Sequence, residues 1–224
     1  MNVIVFASRK GGSGKSTLTA HLAAQAHRPS RPVLLIDSDP QGSLSLWHKL
    51  RGSGEPPLRS ATEGVADLIK AARRAGYEWV FIDTPPNMSA AVTDAIHAAT
   101  LVVIPARLTV FDIAAVKETM DLCRKLGKPY AVVINGAPSR RDNVESPFVQ
   151  GARLALIQLN VPVWSGQITQ RTNYSLALAE GEGAKEYDSK SEAAAEVAAL
   201  WNAIEKSVKA IHGVYEGVAM HRVA

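Results

Sequence analysis

Eight consecutive residues, Lys10-Gly11-Gly12-Ser13-Gly14-Lys15-Ser16-Thr17, have the types and spacing to hold a polyphosphate. Glycines let backbone N–H groups turn around phosphate oxygens without side-chain obstruction, and a helix starting where the loop ends adds a positive dipole. Lys15 is then placed to bridge the β- and γ-phosphates of a nucleotide, and the Ser16 hydroxyl to ligate Mg²⁺. A glycine turn of purely structural origin has no need of Lys15-Ser16 in register with the glycines. Further polar residues stand where apolar runs end: Asp37 and Asp39 after 33–36, Asp83 after 79–82, and Asn135 after 130–134. A carboxylate in such a place can hold Mg²⁺ directly or through water. An amide can meet adenine as donor and acceptor together. Asp before Pro40 and Asn before Gly136 are also ordinary turn and capping residues, so surroundings decide their chemistry. No Asn-Lys-x-Asp guanine-reading sequence follows Asn135, which favours ATP.

These residues need a scaffold that gathers them at one edge. The runs at 2–7, 33–36, 79–82, 101–104 and 130–134 are apolar without alternation, as parallel strands buried on both faces are. Helix-like segments at 15–26, 63–75, 89–99, 112–126 and 146–159 lie between them, and a short strand is expected at 161–164. This alternation predicts an α/β fold, a mostly parallel central sheet with helices on both faces joined by right-handed crossovers. Ligands of such sheets bind outside the carboxyl ends of the strands, where the candidate residues fall. A last helix over 190–212 carries Val197, Leu200, Trp201, Ile204, Val208 and Ile211 on one face, suited to docking on the sheet. Its polar face mixes Glu196, Glu205, Lys206 and Lys209, unlike the basic face of a membrane-surface helix. Residues 213–224 are left as a tail, and the whole of 1–224 reads as one domain.

Bulk composition sets outer bounds. The chain has 224 residues, 46% hydrophobic and 21% charged, enough for one well-buried core. No apolar run is long enough to cross a bilayer as a helix, and no signal peptide is expected at the start. One cysteine, Cys123, excludes an internal disulfide and fits a reducing cytoplasm. The net charge of +4 is spread without a basic arm, so charge alone does not make a DNA binder.

An ordinary Walker A sequence opens with a glycine where this chain has Arg9, and a second lysine, Lys10, begins the loop. That KGG-x-GKST form resembles the signature of the ParA/MinD group of deviant Walker ATPases. Asp37-Ser38-Asp39-Pro40-Gln41-Gly42 is similar to the group's switch I, and Asp83-Thr84-Pro85-Pro86 to its Walker B and switch II. The resemblance runs from residue 3 to about 204 and implies a P-loop NTPase fold that hydrolyses ATP with Mg²⁺. It implies that Lys10 reaches across a homodimer to the partner's nucleotide; a solvated lysine beside a phosphate site is the plain alternative. It assigns Asp39 to positioning the attacking water, and Asp37 to the Mg²⁺ shell with Ser16 and Asp83. Segments 168–173 and 187–191 resemble stretches whose basic residues touch non-specific DNA, which carries over Arg171 and Lys190.

Within the group, the chain resembles the small single-domain partition type. The resemblance then implies an ATP-bound homodimer on non-specific DNA, in the cytoplasm and associated with the nucleoid. A ParB-like or other cargo adaptor would stimulate hydrolysis, so that a plasmid, a chromosome or a protein cluster is segregated or positioned. With the first strand at residue 2, no N-terminal operator-reading domain is expected. The iron–sulfur branch of the group needs cysteine ligands that a single Cys123 cannot supply. A MinD-like membrane cycle needs a basic amphipathic end, where 213–224 offers only His221 and Arg222. A dethiobiotin-synthetase type enzyme would not need the two switch-like loops.

Overall fold

The computed structural model describes residues 1–61, 64–87, 89–107 and 109–221. Its strands are β1 (Asn2–Phe6), β2 (Val33–Asp37), β3 (Leu58–Ser60), β4 (Trp79–Asp83), β5 (Leu101–Ala106), β6 (Tyr130–Ala137) and β7 (Ile168–Thr169). They pair in parallel in the order β3-β2-β4-β1-β5-β6-β7. The helices are α1 (Lys15–Ala26), α2 (Ser43–Arg51), α3 (Val65–Arg74), α4 (Ala90–Ala98), α5 (Val110–Lys125), α6 (Pro147–Gln158), α7 (Thr172–Ala179), α8 (Ala184–Tyr187) and α9 (Glu192–His221).

Strand side chains alternate between two cores, which is why the runs are apolar throughout. Ile4, Phe6, Val33, Leu35, Trp79, Phe81, Leu101 and Val103 pack with α1, α2, α7, α8 and α9. Val3, Val5, Leu34, Ile36, Val80, Ile82, Val102 and Ile104 pack with α3, α4, α5 and α6. Cys123 lies in the second core, where burial pushes its thiol up to about 12 and leaves it unreactive at neutral pH.

Expected and observed elements differ at informative places. The ladder runs on through Asp37, Asp83 and Asn135, which sit inside paired strands rather than just beyond them. Residues 161–164 form no strand; Val163 makes a single bridge to Val132, and the paired edge forms later, as β7. Pro162 offers no N–H and breaks the ladder there. Residue 63, where the second expected helix was to begin, lies outside the described residues. The boundary at 212 and the tail after it need correction, because α9 continues helical to His221. Gly213 and Gly217 weaken a helix without stopping it, and Arg222 lies outside the described residues.

Candidate nucleotide and metal site

β1 lies between β4 and β5; the connection out of β1 runs toward β2 and that out of β4 runs the other way to β5, which opens a crevice at their carboxyl ends. The phosphate-type loop fills that crevice. Its two turns need glycine, with φ of 71° at Gly12 and 105° at Gly14. A Cβ at Gly14 would overlap the Asn135 side chain. Gly11 and Gly12 face open space. Helix α1 starts at Lys15 with no side-chain cap, leaving its first N–H groups for a ligand.

Parallel register brings the carboxylates together: Asp83 of β4 pairs with Phe6 of β1 on one side and with Asp37 of β2 on the other. Asp83 is fully buried, and neither of its oxygens completes a hydrogen bond. Burial pushes it up to about 7; the Ser16 hydroxyl and the Lys15 ammonium pull back, while Asp37 and Asp39 push further up. Lys15 is itself buried, which lowers its pKa against the attraction of Asp83 and Asp39. Its Nζ donates to the Lys10 carbonyl at 3.4 Å. Ser13 Oγ is buried without a partner too. A buried carboxylate and hydroxyl left unsatisfied beside a buried ammonium are costly unless something completes them. A divalent cation with phosphate oxygens fits that set: Ser16 and Asp83 would hold Mg²⁺, and Lys15 with the loop N–H groups would hold the phosphates.

Asp37 is less available. Its Oδ2 accepts from Ser45 N at 2.9 Å and Ser45 Oγ at 2.6 Å, and its Oδ1 from Asp39 N at 3.1 Å. It therefore acts as a cap, the role that an aspartate in this loop has as its plain reading. Asp39 is half-buried, and its Oδ1 accepts from Gln41 N at 3.0 Å. Lys10 Nζ donates to Thr109 Oγ1 at 3.1 Å, just ahead of α5, and Arg9 pairs with Glu118 of α5. Asn135 donates from Nδ2 to the Ser13 carbonyl at 2.6 Å, so here it braces the loop.

Arg171 and Lys190 lie apart in character from this cluster. Arg171 is half-buried, bound to Glu196 at 2.9 Å and near Glu192 at 4.0 Å. Glu196 also accepts from Tyr174 Oη at 2.7 Å and Thr169 N at 2.9 Å, so Arg171 belongs to a satisfied network. Lys190 is exposed in the turn before α9. Sequence reasoning missed Ser38, whose Oγ donates to the Asp83 carbonyl at 2.7 Å. It also missed Thr84, whose buried hydroxyl donates to the Phe6 carbonyl at 2.8 Å. Both tie the acidic loops to the strands; their hydroxyls inside otherwise recognised segments were the available signal.

Residues 4–184 match the family described as the CobQ/CobB/MinD/ParA nucleotide binding domain. The chain is 31% identical over 192 residues to the protein ParA of Rhizobium radiobacter, covering 78% of this chain and 81% of that one. It is 38% identical over 120 residues to the maintenance of carboxysome distribution protein A of Gloeobacter kilaueensis, covering 53% of this chain and only 55% of that one. Among solved structures, the septum site-determining protein MinD of Pyrococcus horikoshii in complex with Mg-ADP superimposes with a TM-score of 0.69. At 20% identity over 94% of this chain and 98% of that one, it shows a shared fold.

Proposed function

Because the chain belongs to the CobQ/CobB/MinD/ParA nucleotide-binding family, whose ParA and MinD members are P-loop ATPases using ATP with Mg²⁺, we propose that it is an ATP-switched positioning protein. ATP closes two subunits into a dimer, the dimer holds non-specific DNA, and an adaptor on the cargo stimulates hydrolysis and release. The position of Lys10 carries this reading. Its ammonium donates to Thr109, just ahead of α5, whereas the Lys15 ammonium is turned onto a carbonyl of its own loop. A second loop lysine so placed suits a partner subunit's nucleotide, past the open faces of Gly11 and Gly12.

Within one subunit, Lys15 and the loop N–H groups bind and orient the phosphates, and Asp39 positions the attacking water. Asn135 turns from Ser13 to the base. Mg²⁺ held by Ser16 and Asp83, with Asp37 behind them, would neutralise charge on the phosphate oxygens. Arg171 and Lys190 contribute phosphate contacts to DNA, with Lys190 the larger share because Glu196 offsets Arg171. Relatives named for chromosome partitioning, Soj of Thermus thermophilus and ParA of Caulobacter vibrioides, support a partition cargo, and the one named for carboxysome distribution supports a protein-body cargo. Light scattering of the purified protein tests the switch. A shift from monomer to dimer with ATP, lost in Lys10→Ala, is expected; a Lys10→Ala variant that still dimerises with ATP contradicts it.

A further inference from the structure

Helix α2 begins on Gly42, which has φ 66° and no side chain to cap it. Asp37, reaching over from the end of β2, caps it instead. Ser45, in the first turn of α2, donates both its backbone N–H and its hydroxyl to the same oxygen, Asp37 Oδ2. The other oxygen, Oδ1, takes the Asp39 N–H. A carboxylate has about four acceptor sites, so Ser45 saturates one oxygen and the second keeps a single site. The loop is closed further by the Gly42 N–H on the Asp39 carbonyl at 2.9 Å. Asp39 therefore stands where a chain of contacts puts it, from Ser45 to Asp37 to the Asp39 backbone.

The hydroxyl is the strong link in that chain. An O–H donated to a carboxylate at 2.6 Å is a short, charge-assisted bond. Asp37 is buried in register beside Asp83, a like charge it would turn away from if released.

We propose that Ser45 is a positioning residue for ATP hydrolysis, whose hydroxyl locks the Asp37 carboxylate and through it sets Asp39 against the attacking water. The inference rests on the reading of the chain as an ATPase with Asp39 at the water. Phosphate and base binding use other groups, so the loss of this lock acts on turnover rather than on nucleotide affinity.

Ser45→Ala keeps the backbone N–H and the helix, and Ser45→Thr keeps the hydroxyl. In Ser45→Ala the kcat for ATP should fall about tenfold with KM within about twofold, and Ser45→Thr should restore it. Hydrogen exchange supplies a second readout without nucleotide. Amides of residues 39–46 should exchange about tenfold faster in Ser45→Ala, while those of β1 and β4 stay as in the wild type. A wild-type kcat in Ser45→Ala, unchanged exchange at 39–46, or failure of Ser45→Thr to restore turnover would each overturn the proposal. A wild-type protein that does not turn over ATP with Mg²⁺ would instead sink the ATPase reading, and the exchange comparison would still decide whether Ser45 holds the loop.

Discussion

Burial acts on two titratable groups of opposite kind, Asp83 and His21. Asp83 is raised from 3.8 to about 7, so between those values the folded protein holds more protons than the unfolded chain. Its stabilising contribution is present below about pH 4 and is lost as pH rises to about 7, about 4 kcal/mol in all. His21 is lowered from 6.5 to about 4, with Nδ1 accepting from Ala184 N at 3.1 Å. The unfolded chain binds the extra proton, so stability is full above about pH 6.5 and is lost as pH falls toward 4, about 3 kcal/mol. The two slopes oppose each other in the nucleotide-free protein. Asp83→Asn should raise stability at pH 7, leave it falling with acid, and abolish Mg²⁺-dependent hydrolysis. His21→Gln should leave stability falling as pH rises. Urea titrations at pH 5, 6 and 7 separate the two, and the same pH slope in both variants would contradict this account. The gathering of Lys15 and Ser16 beside Asp83 was legible in the sequence, because phosphate and cation chemistry dictates a local pattern. Ser45 was not, since its partner Asp37 is eight residues back and meets it only after α2 folds against β2.

Elements were legible in proportion to their length and apolar content. Helix α1 matches its expected bounds, and α4 and α6 sit one residue inside theirs, because Ser89 and Ser146 act as their N-caps. Helix α2 was hidden, being short, polar on one side and capped from elsewhere, although Gly52 at its end with φ 68° was a stop signal. β3 is three residues long, and without an apolar run it reads as loop. Helix α9 was placed by its apolar face, and its docking centres on Trp201. The indole lies 4.8 Å from Trp79 and 5.8 Å from Phe81, with Arg31 stacked over it. Trp201→Ala should cost about 3–5 kcal/mol of unfolding free energy. It should leave nucleotide affinity intact where the domain remains folded, because Trp201 packs on Trp79 at the start of β4, whereas Asp83 stands at that strand's carboxyl end. Denaturant unfolding followed by circular dichroism checks the first part and a fluorescent ATP analogue the second; a loss under 1 kcal/mol would mean that α9 is only loosely docked.

At the scale of the molecule, the proposed ATP-bound dimer must hold one surface, DNA or membrane. No helix among the described residues is long and apolar enough to cross a membrane. The basic groups carried over as DNA contacts are few, and Arg171 is already paired. A monomer so equipped should hold DNA weakly. Under the proposed function, two subunits joined by ATP would present their contacts together, which would multiply affinity and make it steeply salt-dependent. The central claim is thus a coupling between nucleotide state and DNA. Co-sedimentation with random double-stranded DNA, in ATP, in ADP and without nucleotide, measures it directly, with Asp39→Ala included to hold the ATP state. Binding only with ATP, retained longest in Asp39→Ala and lost at high salt, is the predicted result. Binding that is equal in all nucleotide states, or absent in all of them while anionic liposomes capture the ATP form, would contradict it.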